Sequence, residues 1–84
     1  MLPLKLIIQA VRGGYEYGVA EAEVAAERAT ECGHWPEWTA IDNSGWLPEG
    51  DDQRAAYDDL LNRAAQAAYE SVRDAITASQ EVAQ

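Results

Sequence analysis

Residues 3–33 read PLKLIIQAVRGGYEYGVAEAEVAAERATECG, and their apolar and small side chains recur at every third or fourth position. This spacing places them along one face of an α-helix, because a helix turns once in 3.6 residues. Pro3 suits the first helical turn, and Gly33 suits the left-handed residue that commonly ends a helix. The stretch therefore predicts one helix from about Pro3 to Cys32.

Two adjacent glycines, Gly13 and Gly14, interrupt this pattern. Each glycine costs a helix about 1 kcal/mol relative to alanine, so the pair also allows a break in the chain. In that alternative, residues 4–11 and 15–19 pair as a β-hairpin. We favour the helix because the apolar face keeps its register across the glycines, which a turn would have no reason to preserve.

A second helical pattern extends from about Asp51 to Ala78, and Asp51 or Asp52 is suited to cap its beginning. We expect residues 79–84 to fray. The apolar stripe of this helix comprises Tyr57, Leu60, Leu61, Ala64, Ala68, Val72, Ala75 and Ile76.

Small residues also recur at a spacing of four on the first helix, at Gly14, Gly18, Ala22 and Ala26. We expect them to pack against the alanines of the second helix in an all-α, single-domain, antiparallel hairpin. In that arrangement Gly18 lies near residues 65–68, and Leu4 and Ile8 lie near Ile76. Dense contacts between close backbones would then compensate for the scarcity of large side chains.

Residues 33–50 form the predicted connector, which is rich in tryptophan, proline and turn-forming residues. We expect at least two of its three tryptophans to pack inward, because an alanine-rich helix pair has few other large side chains. The three are Trp35, Trp38 and Trp46. A partly exposed tryptophan within the acidic region would be an anchor for a partner, and Trp38 is our candidate.

The core expected from this sequence is thin, because 16 of the 84 residues are alanine and phenylalanine is absent. A chain of this size buries only about 60% of its unfolded surface and is marginally stable alone. The apolar stripe of Leu4, Ile7, Ile8 and Val11 is wider than one facing helix covers. We therefore expect a homodimer that forms a helical bundle.

The net charge of −9 arises entirely between residues 13 and 53, while the two flanks cancel. That region holds one cation, Arg28, and ten carboxylates: Glu16, Glu21, Glu23, Glu27, Glu31, Glu37, Asp42, Glu49, Asp51 and Asp52. Such a field attracts basic surfaces and repels nucleic acid and anionic lipid. It predicts a basic protein partner, without direct nucleic-acid binding and without a membrane partner.

Glu23, Glu27 and Glu31 form a ladder on one face of the first helix, with about 6 Å between neighbours. Like charges at this spacing destabilise a helix by a few tenths of a kcal/mol per pair. One interpretation is an ordinary solvated face of an acidic protein. The other is a carboxylate array whose spacing approximates that of successive phosphates, suited to a groove lined by lysine and arginine.

Catalytic and metal-binding motifs are not evident. Cys32 and His34 supply only two ligands with no second pair, whereas structural zinc needs four. The pairs Asp51/Asp52 and Asp58/Asp59 are adjacent in sequence, so their side chains diverge on a helix. We therefore expect no enzyme activity, no metal and no cofactor.

The location expected from the sequence is the cytoplasm of a bacterial cell. Residues 2–11 are apolar but too short to span a bilayer, and they lack the features of a signal peptide. A single cysteine gives no support for secretion.

In size, acidity and lack of catalytic motifs, the chain resembles phage-encoded inhibitors of host nucleic-acid machinery, including anti-CRISPR proteins and other DNA mimics. The resemblance implies an inhibitor that blocks a basic groove of a host nucleic-acid-processing complex. The candidate partner-binding residues are Glu23, Glu27, Glu31, Glu37, Trp38, Asp42, Asp51 and Asp52. The alternatives are a homo-oligomeric structural or adaptor protein, whose charge serves solubility, and the antitoxin of a toxin–antitoxin pair.

Overall fold

The structure is a computed structural model that describes residues 2–39 and 51–83, and it contains two α-helices. Helix α1 spans Leu4–Cys32 and helix α2 spans Asp51–Ala83. The described residues include no strand, so the all-α class is confirmed and the β-hairpin alternative is wrong. The molecule measures 50 × 21 × 13 Å, as expected for two long helices that pack side by side.

Both ends of α1 agree with the sequence prediction to within one residue. The carbonyl of Pro3 accepts hydrogen bonds from the N–H groups of Leu6 and Ile7, at 3.0 and 3.1 Å. Gly33 has a φ of 85°, and its N–H donates to the carbonyl of Ala29 at 2.8 Å. Glycine suits this position because side chains rarely tolerate the left-handed conformation.

Helix α2 is longer than predicted. It continues to Ala83, so the frayed tail expected from residue 79 onward is wrong over residues 79–83. Neither glycine nor proline interrupts this segment, and its glutamine, glutamate and alanine residues favour a helix. Gln80 lines the same surface recess as Ala29 and Gly33, so α2 extends alongside the end of α1.

The two helices run parallel, which corrects the expected antiparallel hairpin. Gly14 of α1 lies against Leu61 of α2, and further along Gly18 lies against Ala65. Residue numbers therefore rise together, and in both pairs the α2 residue comes 47 positions after its neighbour in α1.

Two buried clusters between the helices also show that the helices run parallel. One lies near the beginnings of both helices, and the other lies towards their ends. The members are Leu2, Ala10, Tyr57 and Leu61 in the first cluster, and Ala22, Ala25 and Tyr69 in the second. Early residues of α1 thus pair with early residues of α2, as parallel packing requires.

The length of the connector permits this direction. Eighteen residues, 33–50, reach about 60 Å when fully extended. That reach exceeds the length of α1, which is about 44 Å. Helices that pack antiparallel are commonly joined by only about 2–8 residues. The chain therefore has enough length between the helices to return to the beginning of α1.

Two contacts expected from antiparallel packing have different outcomes. Gly18 does lie against residues 65–68, because these residues lie near the middle of both helices and meet in either direction. Leu4 and Ile8 do not lie near Ile76, since residues at the beginning of α1 pack towards the beginning of α2. Leu4 and Ile8 are instead 71% and 50% exposed.

Gly14 and Gly18 allow the helix backbones to approach closely. A Cβ atom at either position would overlap a carbonyl oxygen of α2, from Leu61 or Ala65 respectively. A Cβ at Gly13 would have no neighbour within 4 Å. We call the small-residue contact face of α1 (Gly14, Gly18, Ala22) and the α2 residues against it the seam.

The first part of the connector folds against the second cluster. Trp35 and Trp38 are partly buried beside Tyr69, which confirms that at least two tryptophans pack inward. The Tyr69 hydroxyl donates a 2.6 Å hydrogen bond to the carbonyl of Pro36. Trp46 and Asp42 lie outside the described residues.

Over the described ranges, neither helix combines the length with the apolar character that a bilayer span needs.

Candidate partner-binding site

The glutamate ladder predicted from the sequence is present on the C-terminal half of α1. Glu23, Glu27 and Glu31 are all exposed, and one helical turn separates each from the next. Within the described part of the chain, none of the three carboxylates makes a hydrogen bond or an ion pair. The ladder therefore faces solvent, and the described residues leave its acceptor oxygens free to bind a partner.

The carboxylates of α2 differ from those of the ladder. Each of the four whose side chains are described has a partner on the same helix. These pairs are Asp58 with Asn62, Asp59 with Arg63, Glu70 with Gln66, and Asp74 with Arg73. Exposed pairs of this kind contribute about 0–1 kcal/mol each. The ladder and the α2 carboxylates therefore differ mainly in whether their oxygens are available to a partner, and little in stability.

A recess of about 230 Å³ lies beside the ladder, between α1, the connector and α2. We call it the aromatic recess and define it by the rings of Tyr17, Trp38 and Tyr69, together with the charged side chains of Glu21, Arg28 and Glu37. Val24, which is 48% exposed, also lines it. Because Val24 adjoins Glu23 in sequence, the recess and the ladder border one another on α1.

The three rings meet at steep angles. Tyr17 and Trp38 are edge to face, with centroids 6.2 Å apart and an interplanar angle of 86°. Trp38 and Tyr69 lie closer, at 5.5 Å, with an angle of 51°. The rings thus form a corner rather than a flat stack, and the negatively polarised face of an aromatic ring favours cations.

Tyr69 connects this surface to the core. Only 3% of the residue is exposed, and its hydroxyl holds the connector through Pro36. Burial raises the pKa of the Tyr69 hydroxyl; the Arg73 guanidinium opposes this rise, whereas the Glu21 carboxylate adds to it. The hydroxyl is therefore a protonated donor at neutral pH, as the hydrogen bond to the carbonyl requires.

The structure groups only some of the candidate residues. Glu37 is exposed at the rim of the recess, and Trp38 forms part of its wall. Asp51 and Asp52 are the first residues of α2, which lies beside the beginning of α1. At 1.5 Å per residue, the ladder is roughly 30–40 Å from that end of the molecule. One compact contact cannot include both groups.

Sequence reasoning did not single out Tyr17, Glu21 or Tyr69 as site residues. A signal existed for two of them, because Tyr17 and Glu21 are one turn apart and Arg28 follows on the same helix face. Tyr69 had no such signal, since its place beside Trp38 depends on how the connector folds against α2.

A second surface feature is an exposed apolar stripe on the N-terminal half of α1. Its members and their exposed fractions are Leu4 71%, Ile8 50%, Val11 42% and Tyr15 60%. Lys5 and Arg12 border this stripe. The two halves of α1 thus present different chemistry to solvent, apolar and basic in the first half, acidic and aromatic in the second.

No three metal-ligating side chains come together within residues 2–39 and 51–83. Cys32 is a free, exposed cysteine.

Comparison with protein-family models, with curated proteins and with solved structures found no match.

Proposed function

We propose that this protein binds and blocks the basic groove of a nucleic-acid-binding protein complex, with its carboxylates taking the place of nucleic-acid phosphates. The class proposed is that of small phage-encoded inhibitors such as anti-CRISPR proteins and other DNA mimics. The binding surface is the C-terminal half of α1, which carries the ladder, together with Glu37 and Trp38. The protein acts by occupying the groove and not by catalysis.

One observation carries this proposal: the ladder carboxylates have no partner among the described residues, whereas the described carboxylates of α2 all do. Three like charges one turn apart cost the helix stability, and no hydrogen bond or ion pair within residues 2–39 and 51–83 offsets that cost. A local rule broken without internal compensation is typical of functional surface. An external basic surface would supply the missing partners.

The physics of such a contact is mainly electrostatic. The field of exposed carboxylates extends over a Debye length of about 8 Å at physiological ionic strength, and it accelerates the encounter with a basic groove. Individual rim charges add little affinity, but a complementary set fixes the register and excludes acidic partners. The proposal therefore predicts binding that weakens steeply as salt rises.

The test begins with capture of partners from bacterial lysate and their identification by mass spectrometry. A nucleic-acid-binding protein with a basic groove is the expected partner. Its affinity for the wild type is then measured at low and high salt, beside the triple variant Glu23→Lys, Glu27→Lys, Glu31→Lys. We expect the triple variant to lose binding at both salt concentrations while its helix content is unchanged.

A matched control separates the position of the charges from their number. Asp59→Lys, Glu70→Lys, Asp74→Lys changes the net charge by the same +6 but alters α2. This control should retain most of the affinity. If both triple variants lose affinity equally, the partner senses only net charge and the ladder is not the binding surface; if neither does, the inhibitor proposal is wrong.

The apolar stripe on the N-terminal half of α1 favours self-association, and we include a homodimer in the proposal. Leu4 and Ile8 would be buried against a second copy, which removes apolar surface from water. Sedimentation at micromolar concentration should show a dimer. Ile8→Lys should give a monomer without loss of helix content, because Ile8 is half exposed in the single chain.

The same stripe supports the second candidate function, a homo-oligomeric structural or adaptor protein. In that case assembly is the whole function and the carboxylates serve solubility alone. Apolar assembly persists or strengthens in salt and tolerates reversal of the ladder. A protein that sediments as a dimer but captures no basic partner would favour this second function.

A further inference from the structure

We infer that the aromatic recess receives one arginine side chain from the basic partner. This inference rests on the proposed function for the source of the arginine. It names a separate point of recognition, because the recess has walls, a defined volume and charged groups of its own. The ladder supplies an extended field, whereas the recess would read one side chain.

The walls of the recess suit a flat cation. Tyr17 and Tyr69 flank Trp38, and none of the three rings is parallel to its neighbour. A guanidinium group can therefore stack on one ring and direct its N–H groups past the others. Arginine stacks on aromatic rings more readily than lysine, whose ammonium group is compact and strongly hydrated.

The charges at the rim favour a cation as well. Glu21 and Glu37 together place two negative charges at the recess, against one positive charge from Arg28. Neither carboxylate makes a hydrogen bond or an ion pair within the described part of the chain. Both can accept from a guanidinium group, which presents five N–H donors.

The size of the recess favours a small occupant. Clefts that hold drug-sized molecules or cofactors measure about 300–1,000 Å³, above the 230 Å³ found here. The exposed apolar side chain of Val24 at the recess is suited to the methylene stem of an arginine. One long side chain is therefore the class of occupant that agrees with volume, charge and lining together.

The test uses the full chain and a probe that needs no identified partner. The probe is the peptide acetyl-Gly-Arg-Gly-amide, followed by NMR at the indole N–H of Trp38. The controls are the same peptide with citrulline, which is neutral and nearly isosteric, and with lysine. We expect saturable shifts at Trp38 with a dissociation constant on the order of 1 mM for the arginine peptide. The lysine peptide should bind at least threefold more weakly.

Substitutions of the lining residues should change the affinity for the arginine peptide in opposite directions. Glu21→Gln with Glu37→Gln should weaken arginine binding about fivefold, because both carboxylate partners are lost. Arg28→Gln should strengthen it about twofold, because a like charge is removed. Tyr17→Leu should weaken it about threefold through loss of a ring face. Glu21, Arg28, Glu37 and Tyr17 are exposed, so their substitution leaves the helix pair intact.

Three outcomes would overturn the inference: equal shifts at Trp38 with citrulline and arginine, equal affinity for lysine, or weaker binding by Arg28→Gln. The peptide assay is independent of the captured partner. If the arginine peptide does not bind but the ladder variant still loses affinity for the captured partner, the inference about the recess is wrong and the proposed function is unaffected. If the arginine peptide binds but no basic partner is captured, the proposed function is wrong instead.

Discussion

Helix α1 carries two series of residues at a spacing of four, and the structure places them in opposite environments. The seam residues Gly14, Gly18 and Ala22 are buried, whereas the ladder of Glu23, Glu27 and Glu31 is exposed. Contacts within the molecule explain the small residues of the seam, because the carbonyl oxygens of α2 leave no room for a side chain at the two glycines. The ladder carboxylates have no hydrogen-bond or ion-pair partner in the part of the chain that the structure describes. Spacing alone selects a helix face, and contacts decide whether that face serves the fold or a partner.

The largest expected effect comes from filling the seam. Gly18→Leu forces apart backbones that are in contact, and we expect the free energy of unfolding to fall by about 3 kcal/mol. Ala68→Leu, opposite Gly18, should cost about 1–3 kcal/mol for the same reason. Urea denaturation measures both.

The adjacent residue Gly13 provides the matched control. No atom lies within 4 Å of a Cβ placed there, so Gly13→Ala should raise the free energy of unfolding by up to about 1 kcal/mol through helix propensity. Gly14→Ala, one residue away, should lower it. Changes of the same sign at both positions would contradict the assigned seam.

A smaller effect should follow when the link between the seam and the partner-binding surface is cut. Tyr69→Phe removes the donor to the Pro36 carbonyl, and we expect a loss of about 1–2 kcal/mol together with weaker arginine binding in the recess. If arginine binding in the recess is unchanged in Tyr69→Phe, the tryptophan contacts alone hold the connector in place.

The same tyrosine gives a pH dependence. Because the folded-state pKa of Tyr69 is raised, the folded protein holds this proton more tightly than the unfolded chain. That contribution to stability is fully present below the unfolded pKa of about 10, and it is lost as pH rises through the raised folded pKa. Denaturation at pH 8 and at pH above 10 should therefore show the stability advantage over Tyr69→Phe shrinking at the higher pH.

The smallest effect on stability is expected from the ladder. Replacing Glu23, Glu27 and Glu31 by glutamine relieves two repulsive pairs and should raise the free energy of unfolding by about 0.5 kcal/mol in low salt. High salt should erase the gain, because exposed charges are then screened. A clear loss of stability would show that the ladder contributes to the fold and would remove the contrast with the seam.

The sequence was sufficient to predict both helices, the end of α1 at Gly33 and the small-residue face of the seam. It did not reveal the direction of α2, because a stripe with a period of four is the same read from either end. The contact of Gly18 with residues 65–68 is expected for parallel and for antiparallel helices alike. The signal that was missed is the connector of eighteen residues, which is longer than an antiparallel pair needs.

The ladder could be predicted because its spacing is local, but the aromatic recess could not. Its walls come from α1, the connector and α2, and Tyr69 meets Trp38 because residues 33–38 fold against α2, which no local spacing in the sequence predicts. The length of α2 was underestimated for a related reason. Gln80 lines the same recess as Ala29 and Gly33 at the end of α1, and the antiparallel prediction did not place the end of α1 there.

The parallel direction has a kinetic consequence. In an antiparallel hairpin, contacts next to the turn close short loops, and later contacts add to them one turn at a time. Here the first contact between α1 and α2, wherever it forms along the seam, must close a loop of about 47 residues. Once that entropic cost is met, the remaining contacts close no new loop. Helix pairing should therefore be all-or-none and slower than in a hairpin of equal length, so that this all-α chain begins to fold, as β-proteins do, by a search between distant segments.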